Sequence, residues 1–212
     1  MGGTFVKICG ITRLGDARAA VRAGANAVGF VFASSPRRVS PTQAANIAPH
    51  VHPALEKIGV FVDSSLDRVL EVVDRVGLSG VQLQGGESAG FISELKDAQP
   101  RLFVSKVIRM TDPQQIFLAK DLGADAIFVD RKDPKHLEAE VSPIPAEWLL
   151  DSGIEKLVVA GGLTPVTVGD LVSQVRPWGV DVSGGVESSP GKKDPALISR
   201  FVRSVREVDA LV

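Results

Sequence analysis

Cys9 is the single cysteine of the chain, and it follows Lys7 by two residues in Phe5-Val6-Lys7-Ile8-Cys9-Gly10. If this stretch is extended, side chains two apart share a face, so an ammonium lies beside a thiol. An adjacent positive charge favours the thiolate, which gives Cys9 a route to act as a base. The competing role is a packed structural cysteine, since cysteine is among the residue types most often buried. A second group is Asp130, a carboxylate that closes the apolar run Ala126-Ile127-Phe128-Val129. An ionised group next to a core needs a partner. Burial raises a carboxyl pKa into the range a general acid near neutrality requires, whereas an ion pair with Lys7 or Arg131 would make Asp130 structural. Two glycine-rich stretches complete the set, Ala160-Gly161-Gly162-Leu163-Thr164-Pro165 and Val182-Ser183-Gly184-Gly185-Val186-Glu187. Glycines can turn backbone N–H groups toward an anion such as phosphate, or they can serve tight turns of positive φ.

These groups need elements to bring them together. Short Val/Ile/Phe-rich runs alternate with longer amphipathic segments along the whole sequence, the pattern of βα units around a parallel sheet. Strands are expected over residues 5–11, 27–32, 57–62, 80–84, 102–107, 126–130, 157–160 and 180–183. Helices are expected over 15–23, 42–48, 66–76, 89–98, 113–122, 146–150, 166–175 and 195–208. Most strand runs are continuously apolar, as in strands buried on both faces. Eight units in 212 residues point to an α/β fold in which residues 1–212 form one closed (β/α)8 TIM barrel, with an open doubly wound sheet as the alternative. In such a barrel the chemistry belongs at the C-terminal ends of the strands, and loops after strands 7 and 8 commonly bind phosphate. Cys9, Asp130 and both glycine stretches fall at such ends. The junctions Ala23-Gly24-Ala25-Asn26 and Leu122-Gly123-Ala124-Asp125 are alike and faintly suggest a duplicated half-barrel.

The 24 basic and 25 acidic residues are spread along the chain for a net charge of −1, so no electrostatic footprint for nucleic acid or a membrane surface exists. A small-molecule partner is expected. No apolar run reaches the ~20 residues that span a bilayer and no signal core precedes the first strand, so a cytoplasmic location is expected. A lone cysteine excludes internal disulfides and cysteine-rich zinc sites. His50, His52 and His136 read as solvated surface, so no metal is expected. Neither a Walker loop nor a strand-to-helix G-x-G-x-x-G is present, which removes the usual supports for nucleoside triphosphates and NAD.

Collectively the motifs resemble the phosphoribosylanthranilate isomerase family. The residues that carry the resemblance are Lys7-Ile8-Cys9-Gly10-Ile11-Thr12, Gly29-Phe30-Val31-Phe32, Ser35-Pro36-Arg37, Gly59-Val60-Phe61-Val62, Val81-Gln82-Leu83, Asp130, Gly161-Gly162-Leu163-Thr164-Pro165, and Val180 through Glu187 followed by Pro190-Gly191-Lys192-Lys193-Asp194. The resemblance implies an Amadori rearrangement of N-(5-phosphoribosyl)anthranilate in tryptophan biosynthesis, without metal or organic cofactor, by a monomer or homodimer. It implies that Cys9 is the base and Asp130 the acid, that Lys7, Arg37, Gln84 and Asp181 bind substrate, with Arg37 near the anthranilate carboxylate, and that Gly161, Gly162, Ser183, Gly184 and Gly185 bind phosphate. The sequence departs from the family over residues 132–143, where a glycine-rich lid is usual, and at Gln84, where histidine is more frequent. These departures support a second reading, a paralogous isomerase of another N-ribosylated arylamine. Further alternatives are a Schiff-base lyase using Lys7 or Lys106 and a non-catalytic phosphometabolite-binding protein.

Overall fold

A computed structural model of the chain describes residues 3–119, 121–131, 144–150 and 152–211. The apolar runs become eight parallel strands of a closed barrel in sequential order: β1 (Phe5–Ile8), β2 (Ala27–Val31), β3 (Glu56–Phe61), β4 (Gly80–Leu83), β5 (Phe103–Arg109), β6 (Ala126–Asp130), β7 (Leu157–Val159) and β8 (Gly179–Val182). β8 closes on β1 with Lys7 opposite Asp181. Among the described residues six α-helices lie between or after the strands: α1 (Leu14–Ala23), α2 (Pro41–Ile47), α3 (Leu66–Val76), α4 (Ala89–Ala98), α5 (Val168–Val175) and α6 (Pro195–Asp209).

Local chemistry explains their limits. Ser40 caps α2 in a reciprocal box with Gln43, and Ser65, Ser88 and Asp194 cap α3, α4 and α6, each satisfying amides that would otherwise lack a partner. Gly24 and Gly77 end α1 and α3 in the left-handed conformation, as C-terminal glycines do. Gly123, the counterpart of Gly24 in the similar junction, has φ +73°.

Outward residues such as Val6, Ile8, Val28 and Phe30 pack with helix residues such as Ile198, Phe201, Val202 and Val205 in one continuous core. Inward residues fill the lumen. Following the register, Gly29, Gln82, Phe128 and Asp181 of the even strands form one layer, and Cys9, Val60, Val107 and Ala160 of the odd strands the next toward the C-terminal mouth. This is the alternate-strand layering of a (β/α)8 core.

The structure differs from the sequence expectation in four places. The first strand ends at Ile8 rather than residue 11, because Gly10 turns to φ +76° and the amides of Gly10 and Ile11 both donate to the Gly29 carbonyl at 2.9 Å. The segment expected as a helix over 113–122 is a 3₁₀ turn, Pro113–Ala119. Asp112 and Gln115 side chains accept from the amides of Gln114, Thr111 and Asp112, and the buried residues Ile116 and Ala119 stand three apart, the period of 3₁₀. Likewise the expected helix over 146–150 is a single 3₁₀ turn, Ala146–Trp148. Finally, β9 (Glu187–Ser189) and β10 (Lys192–Lys193) form an antiparallel hairpin after β8, with Gly191 at φ +78°; the Pro190-Gly191 pair is the signal for it. Residues 132–143, read as an atypical lid, lie outside the described residues, as does His136. No helix among the described residues is long and apolar enough to cross a membrane.

Gly29 fits its place only without a side chain. A Cβ there would stand 2.8 Å from Cys9 Sγ and 3.1 Å from Lys7 Cε. Overpacking of this kind costs about 1–3 kcal/mol. Gly29→Ala should therefore lower stability by about that amount in urea unfolding with an unchanged slope. A variant as stable as its parent would show that β1 and β2 separate readily at this level.

Candidate active site

Lys7 and Asp181 form a charged pair inside the lumen. The Lys7 ammonium is fully buried and bonds both carboxylate oxygens of Asp181 at 3.0 Å. It also lies 5.5 Å from the Phe128 ring centre. Burial works to strip the Lys7 proton, but the charges of Asp181 and then Cys9 outweigh it, so its pKa is raised and the lysine stays an ammonium. Both residues were expected on the substrate; the structure places Lys7 below the mouth, where its neighbours are Asp181, Phe128 and Cys9.

Cys9 stands immediately above this pair, 8% exposed, just past the end of β1 where its amide donates to the Val182 carbonyl. Lys7 does pull the thiol toward ionisation, as the two-residue spacing implies. Burial is the larger effect, however, and together with the Asp181 charge it leaves the Cys9 pKa above its ordinary value. Lys7 thus favours the thiolate as the sequence reading has it, and desolvation, invisible in sequence, opposes the lysine.

Asp130 ends β6 at the same mouth, half-buried. Gly161, at φ +82°, lies against it: a Cβ on Gly161 would collide with the Asp130 carboxylate. Gly161 thus makes room for the candidate acid, a role distinct from holding an anion. Gly185 similarly makes room for the Leu163 carbonyl, locking the loop after β8 against the loop after β7. Gly162 and Gly184 are exposed and Ser183 half-buried on the rim that these loops share. Gln84 is half-buried just past β4, its amide on the Phe61 carbonyl at 2.9 Å.

Arg37 reaches over the rim from the loop after β2. Its Nε and Nη2 grip Glu187 at 2.9 and 2.7 Å, a bidentate pair. The same edge of the guanidinium that could clamp an aryl carboxylate is therefore already engaged. Lys193, fully buried, bonds Glu187 Oε1 at 2.7 Å and the Ser183 carbonyl and hydroxyl at 3.1 and 3.3 Å. Sequence reasoning assigned no role to Glu187 or Lys193. Charged residues flanking the Pro190-Gly191 turn were the available cue, but nothing in their spacing says that the hairpin folds back over Ser183. Gln82, one layer below Cys9, is a further buried polar group, and its Oε1 has no hydrogen-bond partner among the described residues.

Lys106 is elsewhere. It points out of the barrel wall and is held by the carbonyls of Leu83 and Gly85 and by Glu87 at 3.0 Å. Lys7 is buried in its ion pair with Asp181 and Lys106 is paired outside the lumen, so neither is presented to a carbonyl substrate as a Schiff-base lyase needs. His50 and His52 are exposed.

The mouth thus combines a thiol over a buried ion pair, a carboxyl from another strand, an arginine on one rim and a glycine-rich anion-compatible rim beside it. Such a set can move protons on a small substrate with two anionic ends. Residues 6–204 match the family model described as N-(5'-phosphoribosyl)anthranilate (PRA) isomerase. The N-(5'-phosphoribosyl)anthranilate isomerase of Geobacter sp. (strain M21) is 39% identical, with 97% of this chain and 99% of that protein covered. The crystal structure of phosphoribosyl anthranilate isomerase from Thermotoga maritima superposes with a TM-score of 0.88 at 36% identity, covering 96% of this chain and 99% of that one. Another crystal structure, of the isomerase in complex with reduced 1-(o-carboxyphenylamino)-1-deoxyribulose 5-phosphate, gives a TM-score of 0.82 at 34% identity over 96% of this chain and 99% of that one. Barrel and sequence match along nearly the whole length, and the chain belongs to the N-(5'-phosphoribosyl)anthranilate isomerase family.

Proposed function

We propose that this chain isomerises N-(5-phosphoribosyl)anthranilate to 1-(2-carboxyphenylamino)-1-deoxyribulose 5-phosphate, the Amadori step of tryptophan biosynthesis, as a cytoplasmic enzyme. The observation that carries the mechanism is Cys9 seated on the Lys7–Asp181 pair at the mouth where Asp130 also ends its strand. Asp130, in its acid form, donates its proton to the ribose ring oxygen. The C1–O bond breaks, the nitrogen lone pair forms the C1=N bond, and the open chain is an iminium. Cys9, as thiolate, removes the C2 proton and the electrons of that bond flow toward nitrogen, giving an enolamine. Loss of the proton on the C2 hydroxyl with protonation at C1 yields the ketone. The iminium supplies a positive charge beside Cys9 at the moment a thiolate is needed, which counters the burial that holds the thiol protonated in the free protein.

At the ends of the substrate, Gly162, Ser183, Gly184 and Gly185 supply the phosphate rim, and Arg37 faces the aryl carboxylate with the part of its guanidinium not engaged by Glu187. Gln84 and Asp181 complete the substrate contacts. Complementation of a tryptophan auxotroph lacking this isomerase, with steady-state kinetics of the purified protein, tests the activity directly. Reduced-product binding without turnover would favour a binding protein instead.

Three expectations follow from the assigned roles. Cys9→Ser and Asp130→Asn should each reduce kcat by about 10²-fold or more, the usual contribution of a positioned acid or base, while the reduced product still binds. Normal turnover by either variant removes that residue from the mechanism.

The pH profile of kcat/KM reports the free enzyme. Cys9 must be ionised and Asp130 protonated, so the profile should be bell-shaped, and the raised Cys9 pKa puts the Cys9 limb on the alkaline side. Lys7→Met removes the charge that lowers the thiol pKa, so this limb should move to higher pH. Asp181→Asn removes a charge that raises it, so the limb should move to lower pH. Shifts in the same direction would show that these charges do not set the Cys9 proton.

Arg37→Ala should weaken the aryl-carboxylate product analogue by about 10-fold or more, as expected for one hydrogen-bonded charge pair, and leave simple pentose phosphates little changed. Equal losses would place Arg37 away from the aryl end.

A further inference from the structure

Glu187 is the hub of the rim. Its side chain is 4% exposed, and four donors converge on its two oxygens: Arg37 Nε at 2.9 Å, Lys193 Nζ at 2.7 Å and the Gly191 amide at 3.3 Å on Oε1, and Arg37 Nη2 at 2.7 Å on Oε2. Burial alone would raise its pKa, but the bonds from Arg37 and Lys193 outweigh this, and the carboxyl is held below its ordinary range. The two cations it joins lead to different ends of the site. Arg37 lies against Gly10, the residue after Cys9, and near Gly184. Lys193 bonds both the carbonyl and the hydroxyl of Ser183 at the end of β8. A Cβ on Gly10 would meet Arg37 Cδ at 2.7 Å and Ser183 Oγ at 3.0 Å, so the arginine and the serine converge on one glycine beside the thiol.

We infer that Glu187 is a positioning residue that couples the two substrate ends: through Arg37 it fixes the group facing the aryl carboxylate, and through Lys193 it fixes Ser183 on the phosphate rim. The inference rests on the assignment of those ends in the proposed function. It follows from charge and geometry together. Without the carboxylate, two cations would face each other across a buried space, and each would relax away from the other. With it, the fork of Arg37 is held at one angle and the Lys193 ammonium has an anionic partner that opposes burial, the larger effect, which leaves its pKa below the ordinary value. Because Glu187 touches neither substrate end in this arrangement, it acts through the residues it holds. Its loss should therefore be felt at both ends at once, whereas loss of Arg37 should be felt at one.

The test uses the full chain and two small probes read by direct titration, inorganic phosphate for one end and 2-(methylamino)benzoate for the other. Glu187→Gln, which keeps the shape and removes the charge, should weaken both probes about tenfold and lower kcat/KM about 10²-fold, the scale of a misplaced first contact, with the fall in kcat exceeding the rise in KM. Arg37→Ala should weaken only the benzoate. Weakening of a single probe by Glu187→Gln, or of neither, overturns the coupling. If that variant fails to melt cooperatively, the cycle of Arg37→Ala and Lys193→Met on the affinity for the reduced product decides: losses that combine to less than their sum support a shared carboxylate, and additive losses overturn it. Since the probes require no turnover, absence of isomerisation in the parent protein would sink the proposed function and leave the coupling test standing.

Discussion

The bidentate contact between Lys7 and Asp181 governs the centre of this molecule. It joins β1 to β8 at the seam where the barrel closes, and it places a full positive and a full negative charge in a lumen otherwise filled by Phe128, Val158, Val60 and similar groups. Desolvating two charges offsets much of their mutual attraction, so such a pair adds little to stability as such. Its effect is specification. A closed barrel with any other alignment of β1 on β8 would leave one buried charge facing apolar side chains, a cost of several kcal/mol. The same contact decides the environment of Cys9, one layer above, which feels an ammonium and a carboxylate from below and desolvation from all sides.

The apolar packing has the complementary duty of keeping this centre dry and tight. Gly29 removes a side chain so that Cys9 and Lys7 can approach the wall of β2. Gly161 does the same for Asp130, and Gly185 for the Leu163 carbonyl. Some of the glycines that suggest an anion cradle therefore also let a neighbouring strand end or loop come close. The distinction is physical. A glycine against a carboxylate or a carbonyl is spatially constrained, whereas exposed glycines such as Gly162 and Gly184 have backbone open to solvent.

Around the rim, charge is organised by carboxylates rather than by the cations that attract notice in the sequence. Arg37 and Lys193 both answer to Glu187, as Lys7 answers to Asp181 and Lys106 to Glu87. The Lys7–Asp181, Arg37–Glu187 and Lys106–Glu87 pairs each tie two barrel segments together, whereas Lys193–Glu187 closes the hairpin after β8 on itself. These cations are thus held in place before any ligand arrives, which limits the reorganisation that binding would otherwise require.

The sequence by itself determined the architecture and most of the candidate chemistry. Eight apolar runs of strand length with glycine-ended amphipathic segments between them require a parallel sheet covered by helices, and their number favours closure. A two-residue spacing sets Lys7 and Cys9 on one face, and an aspartate after four apolar residues marks a strand end. These are short-range regularities, legible because backbone geometry repeats every two or 3.6 residues. Short-range signals failed where two backbones of similar periodicity compete, as in the 3₁₀ turn at Pro113–Ala119. Only the tertiary structure decided that Lys7 pairs with Asp181 across 174 positions, that Arg37 meets Glu187 across 150, and that Lys193 folds back onto Ser183. It also decided the direction of the Cys9 shift, since desolvation depends on everything packed around a group. Charge pairing and burial are sums over neighbours in space, and the closing of the barrel brings those neighbours from opposite ends of the chain.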